Sequence, residues 1–255
     1  MPLTFQYCSD LHLEFDLNRK WISKYPLKPA ADILLLAGDI VPFAVMEQHS
    51  DFFDFVSQHF KATYWVPGNH EYYNADIASR SGVVHEAIRD NVWLVNNKTV
   101  IINDVTLVCT TLWSQVSIAD EWDVRRAMSD FHVIRNGSGK FDIATYNQLH
   151  KTSLRYIQQA LNETVSKRKV VLTHHIPTFM HYPEKYRGSV LNQAFATELH
   201  DLIEPSGIDC WIYGHHHCNI PAFTIGTTQL LTNQLGYVKH GEHIDFVNPK
   251  TFVVG

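Results

Sequence analysis

Five short segments, scattered over more than two hundred residues, each place metal-binding side chains directly after an apolar, strand-like run. They are Ser9-Asp10-Leu11-His12, Gly38-Asp39, Gly68-Asn69-His70-Glu71, Thr173-His174-His175 and Gly214-His215-His216-His217. Carboxylate, imidazole and amide oxygen suit zinc, manganese, iron or nickel. In open α/β sheets, ligands bind beyond the carboxyl ends of the strands. The repeated pattern therefore predicts strands that end on one rim. Singly, an Asp after a strand is a turn or cap residue, Gly68-Asn69 is a turn, and three consecutive histidines are a surface tract. Together the five segments read as one assembled metal site.

The rest of the chain supports that frame. Short apolar, β-branched or aromatic runs predict strands over 3–8, 32–37, 62–66, 99–103, 105–110, 169–173, 209–213, 221–225, 228–232 and 251–254. Helical periodicity predicts helices near 46–59, 75–90, 144–166 and 192–204. The longest uses Ile143, Tyr146, Leu149, Leu154, Ile157 and Leu161 and closes on the basic cluster Lys167-Arg168-Lys169. Alternating strands and helices imply βαβ units and a largely parallel sheet. The closely spaced strands of the last third suggest hairpins and a second sheet. With no linker and no repeat, residues 1–255 read as a single domain. The stretch 114–141 reads as a charged insertion or cap loop, whose Trp122, Val124 and Met128 would cover the core.

Composition removes several classes of function. A formal net charge of -5 gives no global field for a nucleic-acid backbone. No apolar run of ~18 residues is present to span a bilayer. The N-terminal segment alternates like a strand and lacks a signal-peptide pattern, so a cytoplasmic location is expected. Cys8, Cys109, Cys210 and Cys218 have no CxxC pairing and read as free thiols in a reducing compartment; Cys8 and Cys218 lie close enough to the ligand segments to be minor candidates for a metal. Of the 16 histidines, His49, His59, His85, His150 and His200 fall in polar helical patterns and are expected at the surface.

Asp-x-His, Gly-Asp, Gly-Asn-His-Glu, His and Gly-His-x-His, in this order, resemble the calcineurin-like metallophosphoesterases, from residue 8 to about 220. Thr111-Leu112-Trp113, 191–196 and 233–237 are similar to segments of small bacterial-type members. The resemblance implies an α/β fold, a four-layer αββα sandwich of two mixed β-sheets flanked by helices. It also implies a binuclear centre at the strand C-terminal ends, holding two divalent ions (Mn, Fe, Zn or Ni). One ion would take Asp10, His12 and His217, the other Asn69, His174 and His215, with Asp39 bridging. His175 competes with His174, which is preferred because it directly follows the strand. A water shared by the metals, as hydroxide, would attack phosphorus. His70 would contact the phosphate together with Asn69 and protonate the leaving group. His216, between two ligands, is expected to face solvent or the phosphate pocket.

Departures from the family's patterns narrow the reading. Protein phosphatases of this superfamily carry Gly-Asp-x-x-Asp-Arg-Gly. Here Pro42 stands in Gly38-Asp39-Ile40-Val41-Pro42-Phe43 where the second carboxylate, which orients the catalytic histidine, would be. Gly68-Asn69-His70-Glu71 likewise departs from the Gly-Asn-Arg-Asp of the lipid A pathway hydrolases. A phosphodiesterase acting on small-molecule or nucleotide-type diesters remains, with a scaffold of the same fold, a protein phosphatase or a nuclease as alternatives. Arg125, Arg126, Arg135, Tyr182 and Arg187 lie in loops expected to overhang the metals, where an arginine could pair with phosphate, but each arginine taken singly reads first as a solvated surface residue. Homodimers occur among small members, but nothing in this chain marks an interface.

Overall fold

The computed structural model describes residues 2–255. In chain order the elements are β1 (Leu3–Cys8), α1 (Asp16–Lys24), β2 (Ile33–Leu36), α2 (Ser50–His59), β3 (Ala62–Trp65), α3 (Ile77–Arg80), β4 (Val84–Arg89), β5 (Val92–Asn96), β6 (Lys98–Ile102) and β7 (Val105–Cys109). There follow α4 (Glu121–Ala127), α5 (Asp130–Val133), β8 (Arg135–Asn136), β9 (Gly139–Lys140), α6 (Ile143–Glu163), β10 (Arg168–Leu172), α7 (His200–Ile203), β11 (Cys210–Tyr213), β12 (Phe223–Ile225), β13 (Thr228–Thr232) and β14 (Thr251–Val254).

Two six-stranded sheets carry the molecule, in the orders β14-β1-β2-β3-β5-β4 and β12-β13-β11-β10-β7-β6. Each has four parallel central strands and one antiparallel strand at either edge. Side-chain alternation makes the layers. In β2, Ile33 and Leu35 point into the core between the sheets, while Leu34 and Leu36 pack under α1 and α2. In β11, Cys210 and Ile212 join the inter-sheet core, while Trp211 and Tyr213 pack beneath α6 and α7. Both faces are covered, so these strands are apolar throughout. The expected αββα sandwich of two mixed sheets is the fold observed. No helix among the described residues is long and apolar enough to cross a membrane.

Several local expectations give way. The helix over 75–90 is only the short α3; Gly82, at φ +85°, breaks the path, and Val84–Arg89 becomes a strand paired antiparallel with β5, itself not anticipated. Residues 84–88 alternate in burial with period two, and that pattern outweighs the helix propensity of Glu86 and Ala87. The helix over 192–204 divides into a 3-10 turn over 190–194 and α7. The Lys167-Arg168-Lys169 cluster opens β10 and does not end α6, which closes at Glu163. Helix α1 went unseen because only Asn18 and Ile22 of its nine residues are buried.

The stretch 114–141 carries α4, α5, β8 and β9. Val124 is buried and Met128 half-buried over a cluster with Trp113, Phe141 and Tyr146, but Trp122 is exposed. His49 and His150 are buried, against expectation; His59 and His85 are exposed and His200 half-buried. The four cysteines are free, three of them buried.

Candidate metal centre and cleft

The carboxyl ends of β1, β2 and β3 from the first sheet meet those of β10 and β11 from the second. The chain must turn sharply off each strand. Asp10, His12, Asp39, His215 and His217 all adopt left-handed backbone, with φ between 47° and 83°. Side chains with a Cβ adopt this region at a cost, and such residues cluster at functional sites. The loops brace one another: Asp10 N–H donates to Gly38 O (2.9 Å), His12 N–H to Asp39 O (3.0 Å) and Gly214 N–H to His174 O (3.0 Å). Two glycines are required by close approach. A Cβ at Gly38 would lie 2.4 Å from His174 Nδ1, and one at Gly68 would lie 2.2 Å from Asp39 Oδ1.

Three groups of converging donors result; one is His12 with Glu14 and His70, and the two at the centre are Asp10 with His12, Asp39 and His217, and Asp39 with His174 and His215. Asp39 belongs to both. Its Oδ2 lies 3.7 Å from His12 Nε2 and 3.4 Å from His174 Nε2. His217 Nε2 is 3.3 Å from Asp10 Oδ1 and 2.9 Å from His12 Nε2. His174 Nε2 is 3.0 Å from His215 Nδ1 and 3.2 Å from Asn69 Oδ1. Imidazole nitrogens that aim at a common point beside a buried carboxylate need a cation between them, a proton or a metal. This nitrogen and oxygen donor set fits divalent zinc, manganese or iron.

A second layer holds these donors. Glu71, fully buried, accepts N–H groups from Gly68 (2.6 Å), Ile40 (2.7 Å) and Asp39 (2.9 Å) and the Trp65 indole (3.1 Å), locking two ligand loops to each other. Asn69 donates its amide to Asp130 (2.9 Å), leaving its oxygen for the centre. His217 Nδ1 pairs with Glu242 (2.8 Å). Glu14 Oε1 lies 3.1 Å from Nδ1 of both His12 and His70.

Charge follows the geometry. Burial works against ionisation of Asp39, but His174, His70 and His12 hold its carboxyl well below the usual range. Burial would lower His217, yet Asp10 and Glu242 outweigh it and raise it to about 10. His174, opposed in the same way, is raised to about 9, chiefly by Asp39. Burial pushes His216 down to about 4.

The structure gathers Asp10, His12, Asp39, Asn69, His70, His174, His215 and His217 in one place; Asp39, Asn69, His70, His215 and His217 line a cleft of about 440 Å³, while Asp10, His12 and His174 are fully buried and do not line it. His175 lies behind His174, its Nε2 3.2 Å from the Tyr146 hydroxyl, outside both donor groups. His216 borders the cleft but is buried and bound to the Gln234 amide at 2.8 Å, so it does not face solvent. Aromatic rings of Phe15, Tyr73, Tyr186, Phe195 and Tyr237 form the walls. Among the described residues no arginine or lysine lines it, and Lys185 stands beside it over the ring of Tyr186, at 4.7 Å. Arg187 is exposed and pairs with Glu184; Arg125 and Arg126 border a separate hollow with Trp122; Arg135 reaches Asn74 O. Tyr182 sits behind the rim, its ring 5.7 Å from that of His216.

Sequence reasoning missed Glu14, Glu71, Asp130, Tyr237 and Glu242. The spacing Asp10-x-His12-x-Glu14 and the Glu71 that closes the third segment were visible signals; Asp130 and Glu242 had none.

The sequence pattern of the calcineurin-like phosphoesterases matches residues 3–219. An uncharacterized protein of Acanthamoeba polyphaga mimivirus is 32% identical over 261 aligned positions, covering 91% of this chain and 90% of its own. Among solved structures, the phosphopantetheinyl hydrolase PptH of Mycobacterium tuberculosis aligns at a TM-score of 0.74 with 15% identity, over 98% of this chain and 95% of that one. A likeness at that identity is one of fold.

Proposed function

This chain belongs to the calcineurin-like phosphoesterases, and we propose that within the family it is a binuclear metal-dependent phosphodiesterase acting on small-molecule or nucleotide-type diesters. Asp10, His12 and His217 would hold one ion and Asn69, His174 and His215 the other, with Asp39 shared. The membership of Asp39 in both donor groups supports this division. Two divalent ions there would activate a water and neutralise charge on the phosphate oxygens.

The chain's own groups supply the rest. The ring of His70, 11% exposed, stacks on Tyr73 at 4.0 Å, and its Nε2 lies 3.3 Å from the Tyr237 hydroxyl at the cleft. Burial opposes protonation of this imidazole, but Asp39, Glu14 and Asp130 raise its pKa, which suits a group that gives a proton to the departing alkoxide. Asn69, and less directly His216, would border the bound phosphate.

The observation that carries the diester reading is the lining of the cleft. A phosphomonoester bears close to two negative charges at neutral pH, and a diester bears one. With no arginine or lysine among the described residues in the lining, and Lys185 held over the ring of Tyr186, the histidines and bound ions are the main positive groups offered, and aromatic walls suit the second ester substituent. Intact ligand groups likewise favour a hydrolase over a scaffold.

The test is hydrolysis by manganese-, zinc- or nickel-loaded protein of bis-p-nitrophenyl phosphate against p-nitrophenyl phosphate. The diester is expected to have the higher kcat/KM, and His70→Ala to lower kcat with metal content unchanged. A monoester preference would overturn the diester reading, and inactivity on both with two ions bound would overturn the hydrolase itself.

A further inference from the structure

The sequence raises a problem that the fold answers. Where related phosphatases place a second carboxylate to orient the catalytic histidine, this chain has Pro42. A histidine that donates a proton through Nε2 must have its ring held, and Nδ1–H bound to a carboxylate is the usual means.

We infer that Glu14, from the first motif, is the positioning residue for His70. Glu14 Oε1 lies 3.1 Å from His70 Nδ1 and 3.1 Å from His12 Nδ1. The two rings meet edge to face with centroids 4.5 Å apart. One oxygen thus receives two Nδ1–H groups and turns both Nε2 atoms toward the centre, that of His12 beside Asp39 and that of His70 beside Tyr237. Glu14 is 15% exposed, and its Oε2 is buried without a partner, so the carboxylate is committed to these imidazoles and not to solvent. His70 is held on its other face by Tyr73, leaving ring rotation as the freedom that Glu14 removes.

This inference rests on the hydrolase reading, in which His70 protonates the leaving group. A carboxylate that acts through His70 matters in proportion to how much the leaving group needs that proton. Glu14→Gln is expected to lower kcat on a phenyl phosphodiester, a poor leaving group, by about 10- to 100-fold, with little change in KM. On bis-2,4-dinitrophenyl phosphate, whose leaving group departs unassisted, the loss should stay within about threefold. Two ions per chain should remain bound. An equal loss on both substrates, or loss of a metal ion through His12, would overturn the assignment.

A readout independent of turnover separates this inference from the function. In zinc-loaded protein the His70 Nδ1 proton is expected as a downfield imidazole resonance, identified by its disappearance in His70→Gln and displaced in Glu14→Gln. An inactive wild type that still shows this resonance and its displacement would sink the hydrolase reading and leave the pairing standing. A resonance unmoved by Glu14→Gln would sink the pairing whatever the activity.

Discussion

Asn69 donates its side-chain N–H to Asp130 at 2.9 Å, and Asp130, wholly buried on α5, comes from the charged insertion. The same Oδ1 accepts the Tyr73 hydroxyl at 2.7 Å, so one carboxylate fixes both the amide of a proposed ligand and the ring stacked on His70. The stretch 114–141 thereby braces a proposed ligand and the ring beside His70.

Asp130→Ala should release the Asn69 amide to rotate. Affinity for the ion on the Asn69 side is expected to fall about 10- to 100-fold, as for other outer-shell partners. Metal titration followed by mass spectrometry checks this, and two ions bound with wild-type affinity would contradict it.

Gly68→Ala would drive a methyl to 2.2 Å from Asp39 Oδ1 and 2.8 Å from the Asp39 backbone nitrogen. Backbone cannot yield there as a flexible side chain would. The variant should lose roughly 1–3 kcal/mol of stability and bind neither ion tightly, measured by thermal unfolding with and without added metal.

Glu71→Ala leaves four buried donors without an acceptor. At roughly 1–3 kcal/mol for each orphaned group, a loss of at least about 4 kcal/mol is expected in denaturant unfolding. Glu71→Gln, which keeps one oxygen, should lose less.

His150 gives a pH dependence remote from the centre. It is 1% exposed, its Nδ1 3.3 Å from Trp113 O, and burial lowers its pKa. As pH falls below about 6.5, the unfolded chain takes up a proton that the folded one excludes. Stability therefore falls on the acid side, by at most about 1.4 kcal/mol per pH unit from this group. His150→Gln should make the urea midpoint shift less between pH 7 and pH 5.

The five motif segments are legible because each couples a strand signal to a turn that only a few residues tolerate. The same local coupling makes the two sheets legible. What escapes the sequence is held by contacts across long separations. Glu71 is understood only once Gly38-Asp39 lies against Gly68, and Asp130 only once the insertion folds back on Asn69. The stretch 75–90 misleads for another reason: Glu86 and Ala87 favour a helix locally, whereas β5 offers an open edge that rewards a strand. The arginines follow the surface reading, since loop position says nothing of direction, and Arg187 turns to Glu184.

The carboxylates at the centre come from the first sheet and the imidazoles facing them, His174 and His217, from the second. Without a metal, Asp39 and Asp10 favour the protonated form of these two imidazoles, His174 and His217, against the opposing effect of burial. Each buried carboxylate thus faces an imidazole from the other sheet, Asp39 Oδ2 3.4 Å from His174 Nε2 and Asp10 Oδ1 3.3 Å from His217 Nε2. Ions bound at these nitrogens would displace those protons, so loading is expected to release protons to solvent and to weaken as pH falls.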